Sequence, residues 1–255
     1  MAFDVGRVRA AYPALTDGYA YLDGAAGTQL PERVIEAIAG TYRGGLGNSG
    51  GAFPASRRAD EIEAACREAV ADLTGGTPDG VILGPNMTTL TYRLAGTLAK
   101  DWAEGDEVVV SRLDHDANVR PWVQAARGAG ATVRWAGVEL STGELAAAQY
   151  DELIGPRTRL VAVTAASNLI GTRPDVAAIT AKARAAGALS YVDGVHATAH
   201  GPVDLAELGC VSCFHSDAVE LWCGVICLVA GDERRVSVGW DDFHLCCNSG
   251  PASLP

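Results

Sequence analysis

Four short segments of this sequence place a hydroxyl pair, a histidine, an amide and a carboxylate each just past an apolar run. Asn86-Met87-Thr88-Thr89 follows VILGP and opens a helical pattern. Two hydroxyls and unpaired backbone N–H groups there suit a phosphate, and the plainer reading is that Thr88 caps the helix. Leu113-Asp114-His115-Asp116-Ala117-Asn118 follows EVVVS. His115 can stack on a flat group, although a histidine between two aspartates also suits a hydrogen-bonded surface position or one ligand of a metal site. After RLVAVTAAS, Asn168 offers an amide able to hydrogen-bond a phenolic or carboxylate oxygen, or simply a turn residue. ALSYV ends in Asp193-Gly194-Val195-His196, and a carboxylate desolvated by neighbouring strands would stabilise a protonated heteroaromatic nitrogen by charge pairing. His196 and His200 are four apart, but Gly194 and Gly201-Pro202 argue against one continuous ligand-bearing helix, so the zinc reading is weak.

Side chains at such positions need a rigid frame. From Asp4 to about Gly209, short apolar runs alternate with alanine-rich helical stretches, the rhythm of an α/β sheet. The pattern predicts strands at Val81–Leu83, Glu107–Ser111, Thr132–Trp135, Leu160–Thr164 and Leu189–Val192, apolar on both faces as central parallel strands are. It predicts helices at Pro31–Tyr42, Ser56–Thr74, Thr88–Trp102, Asn118–Gly128 and Pro174–Ala186, with Pro31 and Pro174 in the first turns. Functional groups just past a strand then sit on the carboxyl edge, where open α/β sheets keep their ligands. Gly45, Gly47 and Gly50 match the spacing of a dinucleotide fingerprint, but they follow a helix instead of a strand. A connecting, active-site or subunit-contact loop is the better reading.

Composition narrows the classes. The 255 residues suit one large domain or a large one with a short appendage, and 48% hydrophobic with 20% charged residues is ordinary for a globular chain. A formal net charge of −11 opposes docking on nucleic acid or anionic membrane. The longest apolar run, Leu221 to Ala230, is too short to span a bilayer, and the N-terminus has no signal-type apolar region. A cytoplasmic protein with reduced thiols is expected.

The strings Tyr21-Leu22-Asp23-Gly24-Ala25-Ala26, Asn86–Thr89, Asp114-His115-Asp116-Ala117-Asn118-Val119-Arg120-Pro121-Trp122, Ser167–Thr172 and Val192–His196 together resemble the class V aminotransferases of fold type I, most closely the cysteine desulfurase-like group. The resemblance spans about residues 12–210. It implies a fold type I large domain, with a mainly parallel central sheet flanked by helices and the small C-terminal domain missing. It also implies a pyridoxal 5′-phosphate cofactor, a small amino-acid substrate such as cysteine, transferase or lyase chemistry, and a homodimer. Thr88 and Thr89 would hold the cofactor phosphate, His115 would stack on the pyridine ring, and Asp193 would pair with its nitrogen. Asn168 and His196 would lie near the phenolic oxygen.

The resemblance stops short of the family's Schiff-base lysine. An ungapped register puts Ser216 on the expected serine and Val219 on the expected lysine. The only lysines, Lys100 and Lys182, lie upstream of Asp193. The expectation is therefore a domain at 1–210 and a non-matching tail at 211–255, from a reading-frame change near codon 210, in a truncated chain with at best slow turnover. A non-catalytic cofactor-binding or interaction protein is the first alternative. Metal binding is the second, because Cys210, Cys213, Cys223, Cys227, Cys246 and Cys247 crowd the tail with His215 and His244, although the spacings fit no standard zinc site.

Overall fold

The structure, a computed structural model, describes residues 3–209 and the backbone of two strands at 212–216 and 224–228. The chain divides into two compact units, one ending at Cys66 and the other beginning at Arg67. The first holds α1 (Val5–Arg9), α2 (Glu32–Arg43) and the start of α3 (Pro54–Thr74). Among its described residues only Ser56 is buried. The glycine segment between α2 and α3 is tied down by its own chain. The Gly45 carbonyl accepts from Arg58 Nε at 2.9 Å, and the N–H groups of Gly47, Gly50 and Gly51 donate to the Ala55 carbonyl, Asp60 Oδ1 and Ser56 Oγ. Those three donors are thereby occupied, and the loop leads from helix to helix, which is not the strand-to-helix turn of a dinucleotide site.

The second unit is built on a seven-stranded sheet of β1 (Val81–Gly84), β2 (Glu107–Ser111), β3 (Thr132–Ala136), β4 (Thr158–Thr164), β5 (Leu189–Asp193), β6 (Ser212–Ser216) and β7 (Gly224–Leu228), in the order β1-β7-β6-β5-β4-β2-β3. Strands β3, β2, β4, β5 and β6 pair in parallel, and β7 runs antiparallel to both β6 and β1. The mainly parallel α/β architecture expected from the alternating pattern is present. In β2, β4 and β5 nearly every residue is buried, as two covered faces require. The expectation that all five strands are central needs correction, since β1 and β3 form the two ends of the sheet. Trp135 on β3 is 39% exposed, with the Arg112 guanidinium 4.9 Å above its ring. Lateral neighbours come from distant sequence, so a short apolar run does not reveal whether it lies at an edge.

The helices cover both faces. On one, α4 (Met87–Leu98) and α5 (Arg120–Gly128) bury Leu90, Leu94, Trp122 and Ala126 against Val108, Val110, Leu160, Ala162 and Tyr191. The alternating residues Val109, Val161, Val163 and Val192 point the other way, where α7 (Val176–Ala185) packs on β4 and β5 through Val176, Ile179 and Ala183. Three one-turn helices, α6 (Tyr150–Leu153), α8 (Val195–Thr198) and α9 (Leu205–Leu208), complete the unit. Neither proline expected in a first turn is there. Pro31 is itself the N-cap of α2, and Pro174 precedes the Asp175 N-cap of α7, whose carboxylate accepts from Ala178 N–H at 3.0 Å. A carboxylate meeting an unpaired helical N–H outcompetes the proline for the boundary. No described helix is long and apolar enough to cross a membrane.

Candidate active site

Parallel pairing brings the carboxyl ends of β2, β4, β5 and β6 to one edge of the sheet. Ser111, Thr164, Asp193 and Ser216 end those strands, and the segments bearing His115, Asn168 and His196 follow them. The first strand delivers α4 to the same unit. There the N-cap is Asn86, not Thr88: its Oδ1 accepts from Thr89 N–H at 2.8 Å. Thr88 is exposed and Thr89 half-buried, so the hydroxyl of Thr88 is released from capping, and the N–H groups of Met87 and Thr88 have no intrahelical acceptor. Replacing Asn86 with Ala is expected to cost about 1 kcal/mol of stability. A denaturant midpoint unchanged from wild type would show that the cap contributes nothing.

His115 is exposed, and its Nδ1 accepts from Ala117 N–H at 3.1 Å, which fixes the ring and leaves Nε2 to carry the proton. Asp193 is buried at 5% exposure, with Oδ1 accepting from Val195 N–H at 2.9 Å. Burial pushes its carboxyl up to about 6, against the opposing pull of that N–H and of His115. Asn168 is half-buried at the head of a turn in which Gly171 N–H donates to the Ser167 carbonyl at 3.0 Å. The ring of His196 meets that of His200 edge-on at 4.6 Å, and burial, with His200, lowers its basicity. Among the described residues no three metal-binding side chains cluster, so this pair has no third ligand there.

Sequence reasoning missed the scaffold behind these groups. Asp114 accepts from Asn118 Nδ2 at 2.6 Å and bonds Ser111 Oγ, while Asn118 Oδ1 accepts from Trp122 Nε1 at 3.1 Å. Trp122 in turn meets Tyr191 edge-on with ring centroids 4.6 Å apart, and the Tyr191 hydroxyl bonds Thr91 Oγ1 at 2.5 Å. The chain of contacts thus ties the loop carrying His115 to α5, β5 and α4. The four-residue spacing of Asp114, Asn118 and Trp122 is visible in the sequence, with Asn118 ending a short 3-10 turn (Asp116–Asn118) and Trp122 on α5. Burial pushes Asp114 up to about 7, and the Asp193 charge adds to it against Ser111, Asn118 and the Thr164 backbone. The opposite strand edge behaves differently. Burial also acts on Asp106, but the Ala103 N–H together with Arg159 and Arg157, at 3.0 and 3.3 Å, holds it below the usual carboxylate range. Among the described residues, the buried carboxylate that has no arginine partner is Asp193, at the carboxyl edge, which makes that edge the candidate site.

The aminotransferase class-V family profile matches residues 20–216. The chain belongs to this family. It is 41% identical over 207 residues to an uncharacterized protein of Mycobacterium tuberculosis, covering 81% of this chain and 52% of the relative. It is 36% identical over 208 residues to a probable cysteine desulfurase of Pseudomonas aeruginosa, covering 79% and 52%. Among solved structures it resembles the cysteine desulfurase CsdA of Escherichia coli, with a TM-score of 0.79, 30% identity and coverage of 89% of this chain and 58% of that one. An apo cysteine desulfurase of Thermococcus onnurineus, at 24% identity, shares the fold with a TM-score of 0.82, covering 90% and 58%. The chain spans about half the length of the curated relatives it matches.

The cofactor that the class V family implies, pyridoxal 5′-phosphate, fits the donor set. A 12-residue helix could offer its N-terminus and two threonine hydroxyls to a dianion, and the buried carboxylate of Asp193, which has no arginine partner, could pair with a cationic ring nitrogen. Of the remaining sequence-derived positions, Ser216 closes β6, its side chain lying outside the described residues together with Val219 and the six clustered tail cysteines.

Proposed function

We propose that this class V chain binds pyridoxal 5′-phosphate without a covalent tether and is a cysteine desulfurase-like protein impaired in turnover. The observation that carries this reading is the buried Asp193 at the carboxyl end of β5, its Oδ1 held by the Val195 N–H. Relatives named cysteine desulfurase support cysteine or a similar small amino acid as the substrate class. Residues 1–210 form the cofactor-binding portion, 211–255 are a tail whose strands β6 and β7 join its sheet, and the working unit is a homodimer.

When bound, the cofactor supplies an electron sink for a carbanion at the substrate's α-carbon. The chain's own groups have separable tasks. The α4 N-terminus with Thr88 and Thr89, joined by Ser216, anchors the phosphate. His115, held by its Ala117 bond, covers one ring face, and Asp193 keeps the proton on the ring nitrogen. Asn168 and His196 orient the phenolic oxygen. Neither lysine serves this edge. Lys100 lies in the turn after the far end of α4, about 18 Å along the helix from Thr88 at 1.5 Å per residue. Lys182, on α7, is paired with Asp151. With Val219 on the register of the family's lysine, turnover depends on free amines and is slow.

Absorbance titration with pyridoxal phosphate, followed by borohydride reduction and intact-mass measurement, tests the reading. Saturable binding with no stoichiometric adduct is expected. A single adduct mapped to Lys100 or Lys182 would overturn the untethered mode, and the absence of saturable binding would overturn the function.

A further inference from the structure

His115 stands on a turn too short to hold itself. Asp116–Asn118 is a single 3-10 turn, closed by Asn118 N–H donating to the His115 carbonyl at 2.8 Å and Val119 N–H to that of Asp116 at 3.1 Å. One turn fixes several dihedrals for little hydrogen bonding and is marginal alone. The Arg120–Asp116 ion pair beside it has both side chains more than half exposed and adds little. What anchors the turn is Asn118, which has no exposed surface. Its amide direction is settled by chemistry, because an indole N–H can only donate. Trp122 Nε1, 3.1 Å away, must face Oδ1, so Nδ2 is turned onto Asp114 Oδ1 at 2.6 Å. Asp114 Oδ2 meets Ser111 Oγ, which in turn accepts from Leu113 N–H at 3.1 Å.

We propose that Asn118 is a positioning residue for His115, holding its imidazole in the Nε2-protonated form and in the orientation that covers a cofactor ring. Its side chain is fastened to the buried Trp122 and to Asp114, while its backbone N–H holds the His115 carbonyl. The Ala117 N–H on His115 Nδ1, at 3.1 Å, belongs to the same turn. That donor bonds Nδ1 only while the nitrogen keeps its lone pair, so a fixed turn selects one tautomer. Loss of the Asn118 anchor releases the turn and the Ala117 bond with it, and the exposed ring returns to the mixture of an unconstrained imidazole. The Asp114–Asn118 contact is an acceptor meeting a donor, so the two side-chain types can be exchanged with every bond kept. With the amide at position 114 and the carboxylate at 118, the amide donates to one carboxylate oxygen and the other accepts from Trp122. The amide oxygen then accepts from Ser111.

The value of this orientation for cofactor binding rests on the pyridoxal phosphate reading, whereas the tautomer is read without cofactor. Full-length protein labelled with 15N-histidine is recorded at about pH 8, where an ordinary imidazole is neutral, the His115 signals being those lost in His115→Ala. Wild type should show an unprotonated Nδ1 and a protonated Nε2. Asn118→Asp, which sets two carboxyl oxygens against each other, should shift both signals toward the averaged values of free imidazole. Adding Asp114→Asn to it should restore the wild-type pair of signals. Pyridoxal phosphate affinity should fall by about tenfold in Asn118→Asp, but by less than about twofold when the same change is made in His115→Ala, because residues that act through one another do not add. A mixed tautomer in wild type, no recovery in the exchanged protein, or an equal loss of affinity with and without His115 would overturn the proposal. Should the position-118 variants not fold, Asp114→Ala, at a half-buried position, withdraws the acceptor from Asn118, and an unchanged His115 tautomer there would overturn it equally. Failure of wild type to bind cofactor would instead count against the proposed function, leaving the tautomer to judge the role of Asn118.

Discussion

Asp193→Asn should weaken pyridoxal phosphate binding by about 30-fold or more while making the cofactor-free protein harder to unfold at pH 8. The two effects have one origin. Asp193 is 5% exposed, and burial raises its carboxyl to about 6. A carboxylate so placed is poor at stabilising the empty fold and well placed to receive a cation. Removing one partner of a buried charge pair costs about 2 kcal/mol or more, which is the stated loss of affinity. In the cofactor-free protein the sign reverses. The folded-state value lies above the unfolded one of about 4, so the residue's contribution to stability is full below pH 4 and lost as pH rises to 6. A neutral asparagine has no such loss, and its gain at pH 8 should be on the order of 2 kcal/mol. Urea midpoints at pH 5 and pH 8, with absorbance titrations of cofactor, measure both. An affinity within threefold of wild type would remove Asp193 from the cofactor site.

Trp122→Ala should cost about 3–5 kcal/mol, a large share of the 5–15 kcal/mol typical of a domain. The indole has no exposed surface, packs edge-on against Tyr191, and donates to Asn118. Its loss opens a cavity at the core and leaves Asn118, itself buried and bonded to Asp114, without its donor. Trp122→Phe keeps the packing against Tyr191 and loses the hydrogen bond, so a smaller cost of about 1–2 kcal/mol is expected. Denaturant unfolding of both variants separates packing from polar terms. Equal midpoints for the two would show that the hydrogen bond, not the ring, carries the effect.

Much of the frame was legible before any coordinates. The strands at β2 to β5 fall within two residues of the apolar runs that predict them, because central strands have two buried faces and leave an unbroken signal. Boundaries set by local competition were harder to read. Asn86 and Asp175 took the caps assigned to Thr88 and to a proline-led first turn, since the choice depends on which side chain reaches an N–H. The roles of β1 and β3 as the ends of the sheet were not legible either.

What the sequence determined by itself is the set of groups and their order: Thr88, Thr89, His115, Asn168, Asp193 and His196, each just past an apolar run, and a valine on the lysine register at 219. Periodicity and turn chemistry act over a few residues, so the sequence shows such local placements directly. What only the tertiary structure decided is how those groups are held and charged. Asp114 reads as one more surface acid until the turn Asp116–Asn118 brings the Asn118 amide onto it. Burial and like-charge proximity arise from contacts between segments far apart in the chain, and they set whether a carboxyl carries its proton.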